Sequence, residues 1–148
     1  VTILIFFWKA LDMANWCDDA GKLVLRLSVG LMMMLHGWAK FGPDALAGIK
    51  GMLAGQGLPE VLAYGVFVGE IVAPVLMVIG LYARPAAAVF AFNMVVAVAL
   101  AHRGDVLSLG PHGGWAIELQ ALYLFGAVAI ALLGSGRWSV SRGAGRWD

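Results

Sequence analysis

Charge is what this chain has least of. Only 13% of its 148 residues are charged, where an average soluble domain carries about 25%. Hydrophobic residues make up 61%, and the mean hydropathy is +0.86. Ten Lys and Arg against nine Asp and Glu leave a net charge of +1. No basic run stands out, so nucleic acid is not an expected partner. Cysteine is nearly absent too. Cys17 stands alone, which excludes an intrachain disulfide and argues against a four-helix thiol–disulfide membrane enzyme. The histidines His36, His102 and His112 are scattered, with no HxxxH or HxxE spacing. Neither a metal centre nor a covalently attached cofactor is expected. Residues 1–8 are apolar but lack a basic leader, so they do not read as a cleavable signal peptide.

What remains is four long apolar runs, at about 22–41, 61–82, 85–102 and 115–133. Each approaches the roughly 20 residues that cross a bilayer. Backbone groups in hydrocarbon must be satisfied within the segment, so these runs are expected to be helices. The expected fold is all-α, a polytopic membrane four-helix bundle. The first span is expected to act as an uncleaved signal. Within 1–20, Lys9, Asp12, Asn15 and Asp19 recur at helical spacing opposite apolar residues. That pattern predicts an amphipathic helix lying in the interface, or a docking helix for a partner. Domain limits follow as 1–20, 21–140 for the bundle, and 141–148 for a cytoplasmic tail.

The second and third runs are separated only by Ala83, Arg84 and Pro85, which predicts a tight antiparallel hairpin. The Gly-rich link at 42–57 leaves room for a short helix over 45–53, and 104–114 reads as a loop. Lys9, Lys22, Arg84, Arg137, Arg142 and Arg146 fall on the side of both termini, against Lys50 and Arg103 opposite. Lys/Arg bias therefore predicts cytoplasmic termini. Gly65, Gly69 and Ala73 form a small-residue face for close helix approach. Arg26, near the inner edge, is expected to snorkel and serve structure. The Met32–Met33–Met34 run reads as packing or lipid contact.

The chemistry is concentrated in a few polar residues inside the apolar runs. A charge at the bilayer centre costs about 2.5–3.5 kcal/mol on insertion scales, so such residues point to function or to a paired lock. From the helical rise, Glu70 lies about 14 Å below the outer surface, His36 about 7–8 Å, and Lys40 and Glu118 about 5 Å. Asn93 is near mid-membrane, and His102 closes the third run. Depth suggests that Lys40 pairs with Glu118 as a structural ion pair, and His36 with Glu70. Glu70, the deeper acid, is then the candidate proton carrier.

These pieces resemble the DoxX family of small four-helix membrane proteins. The resemblance is carried by Leu25-Arg26-Leu27, Leu35-His36-Gly37-Trp38-Ala39-Lys40-Phe41, Gly57-Leu58-Pro59 and Val68-Gly69-Glu70. It continues through Gly80-Leu81-Tyr82-Ala83-Arg84, Asn93-Met94, His102-Arg103, Gly113-Gly114-Trp115 with Glu118, and the closing 134–140 segment. It covers about 22–140 and leaves 1–20 outside. The resemblance implies a membrane component of redox chemistry, linked in some members to quinone-dependent thiosulfate oxidation, in a bacterial or archaeal inner membrane.

Two functional readings follow. In the first, a redox subunit binds quinone through His36, Trp38, Lys40, Asn93 and His102, with Glu70 and His36 as catalytic residues. Electrons then come from a partner protein, since the sequence shows no redox centre. In the second, the chain is a non-catalytic subunit of a larger membrane complex, and its buried charges are locks. Lipid, and a partner subunit or a second copy of the chain, are the expected contacts. A proton pathway is a third, weaker reading.

Overall fold

The structure is a computed structural model. It describes every residue except Val1 and His112, and the side chains of residues 2–12, Ala14 and Pro43 also lie outside the description. Five helices make up the fold: α1 (Thr2–Ala39), α2 (Pro43–Gly55), α3 (Glu60–Ile79), α4 (Ala83–Ala101) and α5 (Glu118–Leu133). Among the described residues there is no strand, only an isolated bridge between Leu109 and Trp115. Two helices, α3 and α4, are long and apolar enough to cross a membrane, and α5 is apolar but shorter.

α1 corrects the expected break near residue 21. It is one continuous helix of 38 residues, about 57 Å long at 1.5 Å per residue. No proline interrupts it, and a single glycine such as Gly21 costs only about 1 kcal/mol. The Lys22 ammonium donates to Asp18 at 2.6 Å, an i,i+4 pair that ties the two halves together. Residues 1–20 are therefore not a separate element. Of the expected polar stripe, Lys9 and Asp12 lie outside the described side chains.

α1 packs on α3 and α5, and α4 packs on the same two helices, so the four close a ring. Their shared core is made largely of small or flexible residues: Ala73, Met77, Ala87, Phe90, Ala127 and Ile130 are almost fully buried. Large apolar side chains face outward instead, among them Val24, Leu35, Phe92, Leu122, Phe125 and Leu132. An apolar exterior of that extent suits lipid rather than water.

The close approaches depend on particular glycines. A Cβ on Gly37 would lie 2.6 Å from the Glu70 carbonyl oxygen. One on Gly30 would meet Val78, and one on Gly69 would strike Asn93 at 2.4 Å. Of the expected small face on α3, Gly69 and Ala73 are buried in contacts, whereas a Cβ on Gly65 would meet nothing within 4 Å.

At one end of the ring two arginines close helix C-termini. Arg26 is fully buried and does not snorkel. Its guanidinium donates to the Met77, Val78 and Trp138 carbonyls at 3.0, 2.9 and 2.6 Å. The last turn of a helix leaves such carbonyls without partners, and a cation there also meets the negative dipole end. Arg84 does the same for α5, donating to Ala131 and Leu132. The turn falls at 80–82 rather than at the expected 83–85, which open α4, and Gly80 and Tyr82 are both in the left-handed region. The segment after α5 is no loose tail. Val140 donates to Ile79, Ser141 to Gly80, and Arg84 to the Trp147 carbonyl. The Arg137 backbone N–H (2.9 Å) and guanidinium (2.6 Å) bind Asp19, and together they hold its carboxyl below the usual carboxylate range.

This packing predicts that Gly37→Val destabilises the protein by about 1–3 kcal/mol through overpacking. Gly65→Ala, facing open space, should leave stability within about 1 kcal/mol of the parent or slightly higher. Thermal unfolding in detergent would read both, and equal losses would contradict the assignment of the α1–α3 contact.

Candidate functional site

α3 departs from regular helix where the acid sits. It begins with a 3-10 turn at Glu60–Tyr64, becomes α-helical at Gly65–Phe67, and widens to a π-helical turn at Val68–Val72 before Ala73–Ile79. Pro74 supplies the local reason. It has no N–H to give the Glu70 carbonyl four residues back, and its ring would crowd that oxygen in an α-helix. The Ala73 N–H reaches Val68, five residues back. Such single π turns often occur at functional sites.

Glu70 is 2% exposed. The Lys40 ammonium forms an ion pair with its Oε1. Asn93 Nδ2 donates to the same oxygen at 3.4 Å. The other oxygen, Oε2, is buried with no hydrogen-bond partner among the described residues. Three helical segments thus converge on one carboxyl: Lys40 comes from the end of α1, Glu70 from the π turn and Asn93 from α4. Gly37 and Gly69 let the helices close around it. With both donors on Oε1, Oε2 carries the unused hydrogen-bonding capacity of the carboxyl.

This pairing corrects the expected one. Lys40 meets Glu70 rather than Glu118, and His36 does not meet Glu70. The reason is local. α1 ends at Ala39, and the Lys40 N–H turns back to the Gly37 carbonyl at 3.1 Å. Lys40 has left the helix, so the i,i+4 relation to His36 no longer sets its direction. Glu118 is exposed in the first turn of α5, where the helix dipole favours an acid.

The remaining expected residues disperse. Trp38 is 74% exposed and packs edge-on against Phe41 at 5.5 Å, as an interfacial tryptophan does. His102 follows α4, roughly nine residues and about 13 Å from Asn93. There it joins Gln120 at 3.0 Å and Asp105 at 3.3 Å. It clasps α4 to α5 and is not brought to Glu70. His36 is exposed, and its ring stands edge-on to Tyr123 at 5.8 Å. Tyr123, buried on α5, also meets Phe90 edge-on at 6.1 Å and lies within electrostatic reach of Glu70. Sequence reasoning passed over Tyr123. Its signal was a lone phenol in the middle of an apolar run.

The DoxX family model matches residues 21–103, which include Lys40, Glu70 and Asn93. This chain belongs to the DoxX family. Tyr123 and Glu118 lie beyond the matched stretch of this DoxX chain. A Bacillus subtilis (strain 168) protein named "Putative oxidoreductase CatD" is 30% identical over 121 residues, covering 82% of this chain and 84% of its own length. An uncharacterized Haemophilus influenzae protein is 36% identical over 104 residues, 67% of this chain and 72% of its own. No solved structure matches the DoxX chain significantly. The family and the first relative together link this membrane protein to redox chemistry.

Breaking a buried ion pair by removing one partner costs about 3–5 kcal/mol, because the other charge stays uncompensated. Lys40→Met should therefore destabilise by about that much, and adding Glu70→Gln should restore most of the loss. A double-mutant cycle in detergent reads the coupling. Strictly additive losses would contradict the pair.

Proposed function

We propose that this chain is an integral membrane subunit of a quinone-linked redox system, in which Glu70 exchanges the protons that accompany electron transfer. The observation that carries this reading is the half-satisfied Glu70 carboxyl, with Oε1 held by Lys40 and Asn93 and Oε2 bare. A bound quinone would supply the two-electron, two-proton chemistry. The chain supplies a dry carboxyl, a fixed cation beside it and an amide that orients it. A carboxyl held on one oxygen and open on the other is placed to take up and release a proton. The relative's oxidoreductase name and the family's membrane redox association support the same reading.

In this reading α1 from residue 22 onward, α3, α4 and α5 all span the bilayer. The Arg26 and Arg84 ends face the cytoplasm with both termini, in keeping with the Lys/Arg bias. The setting is the inner membrane of a bacterium or archaeon. Electrons come from a protein partner. A second reading, an assembly subunit with no catalytic part, is favoured by α1 itself. About 20 of its residues, roughly 30 Å, continue beyond the span, with Met13 and Trp16 exposed there. The two readings share a docking role for that extension.

Purification in mild detergent with its native partners, followed by quinone extraction and turnover assay, separates them. Glu70→Gln combined with Lys40→Met, which leaves no charge of the pair uncompensated, should keep the fold and the bound quinone while turnover falls about a hundredfold, the scale of a lost acid–base group. Unchanged turnover in that variant would remove Glu70 from the mechanism and favour the assembly reading.

A further inference from the structure

His36 poses a physical problem that the ion pair does not solve. It is exposed, sits on the apolar part of α1, and has no hydrogen bond among the described residues. In the membrane reading its imidazole faces hydrocarbon. A polar group there without a partner costs several kcal/mol. Snorkelling is closed to it, because a histidine side chain is short and its ring is set against Tyr123. Tyr123 likewise has a hydroxyl with no hydrogen bond among the described residues. Two unsatisfied polar groups side by side in an apolar wall point to a ligand that satisfies both.

The space for one is present. A groove of about 380 Å³ lies between α1 and α5, lined by Met32, Leu35, His36, Ala39 and Tyr123. Small-molecule sites run to about 300–1,000 Å³, so a single substituted ring fits. A second cleft of about 160 Å³ abuts it, sharing Met32 and Tyr123 and adding Val29, Leu119 and Leu122. The only polar residue added is Ser28, whose hydroxyl already donates to the Leu25 carbonyl at 3.1 Å. A polar-tipped groove that continues into an apolar cleft, open sideways, suits an amphipathic ring with a hydrocarbon tail arriving through the bilayer.

We infer that this α1–α5 groove is the site of the quinone head group, with His36 and Tyr123 as its hydrogen-bonding partners and the adjoining cleft as the seat of its tail. The inference rests on the quinone-linked reading above and locates the ligand within it. It also gives a use to Tyr123, which lines the groove with its ring edge-on to His36. Trp38 and His102 have no part in this site.

Photolabelling of the complete protein in lipid nanodiscs, with an azido-substituted prenylquinone, tests the location without any activity assay. The label should fall on 28–39 and 119–123, and excess unlabelled prenylquinone should compete it away. His36→Leu combined with Tyr123→Phe should cut competable labelling at least tenfold while the unfolding temperature holds. Leu132→Ala, on the lipid face outside the groove, should leave labelling unchanged. Competable label on α3 or around Asn93 instead would overturn the groove and leave the quinone reading standing. Label with no competition anywhere would overturn both. Native mass spectrometry showing phospholipid retained by the parent and lost in the double variant, with no quinone competition, would overturn the ligand class. Disulfide crosslinking of Leu35→Cys between copies at high yield would assign the face to a second copy of the chain and overturn the site.

Discussion

A carboxylate buried among apolar helices must be answered by something nearby, and the rest of this structure is arranged to answer Glu70. Lys40 does so by leaving its helix. Asn93 does so from α4, packed so closely that position 69 tolerates no side chain. The π turn belongs to the same arrangement. Pro74 removes the N–H that regular helix would offer the Glu70 carbonyl, and α1 comes up against that carbonyl through Gly37. Each of these features is ordinary alone. Together they hold one acid in one place with one oxygen unused.

The two ends of the ring have different jobs. At the Arg26 end, the buried Arg26 and the half-buried Arg84 cap the C-termini of α3 and α5, and the 134–148 segment is laced across them. The hydrogen bonds of Arg26, Arg84 and the closing segment make this end a structural clamp. Among the described residues, the buried side-chain atoms left without a hydrogen-bond partner are Arg26 Nε at that end and Glu70 Oε2 toward the other. At the Lys40 end polar groups are left over, including the His36 and Tyr123 side chains on the α1–α5 groove. Chemistry belongs where capacity remains, and the membrane redox association of the family gives that capacity a use.

Much of the fold was legible in the sequence because hydrophobic runs and glycine-rich breaks act locally. The short helix in the 42–57 link and the tight turn before α4 follow from those signals. The continuity of α1 was not, since a charged stretch reads as a boundary while an Asp18–Lys22 pair quietly bridges it. The residues of the site were partly legible. Glu70, Lys40 and Asn93 stood out as polar residues in apolar runs, yet depth alone paired Lys40 with Glu118. The true partner depends on where α1 stops, at Ala39 and not at the expected 41, which no periodicity reveals. Arg26 was read as snorkelling because the carbonyls it caps belong to segments some 50 and 110 positions away in the chain. Tyr123 escaped notice because an aromatic residue in a helix is usually packing.

The central claim is that Glu70 changes protonation when the bound quinone is reduced. Redox-induced infrared difference spectroscopy on the membrane complex tests it most directly. A protonated-carboxyl band should appear in the parent difference spectrum, shift in deuterated water, and vanish in Glu70→Gln. A spectrum unchanged by that substitution would contradict the account and leave the Lys40–Glu70 pair a purely structural lock.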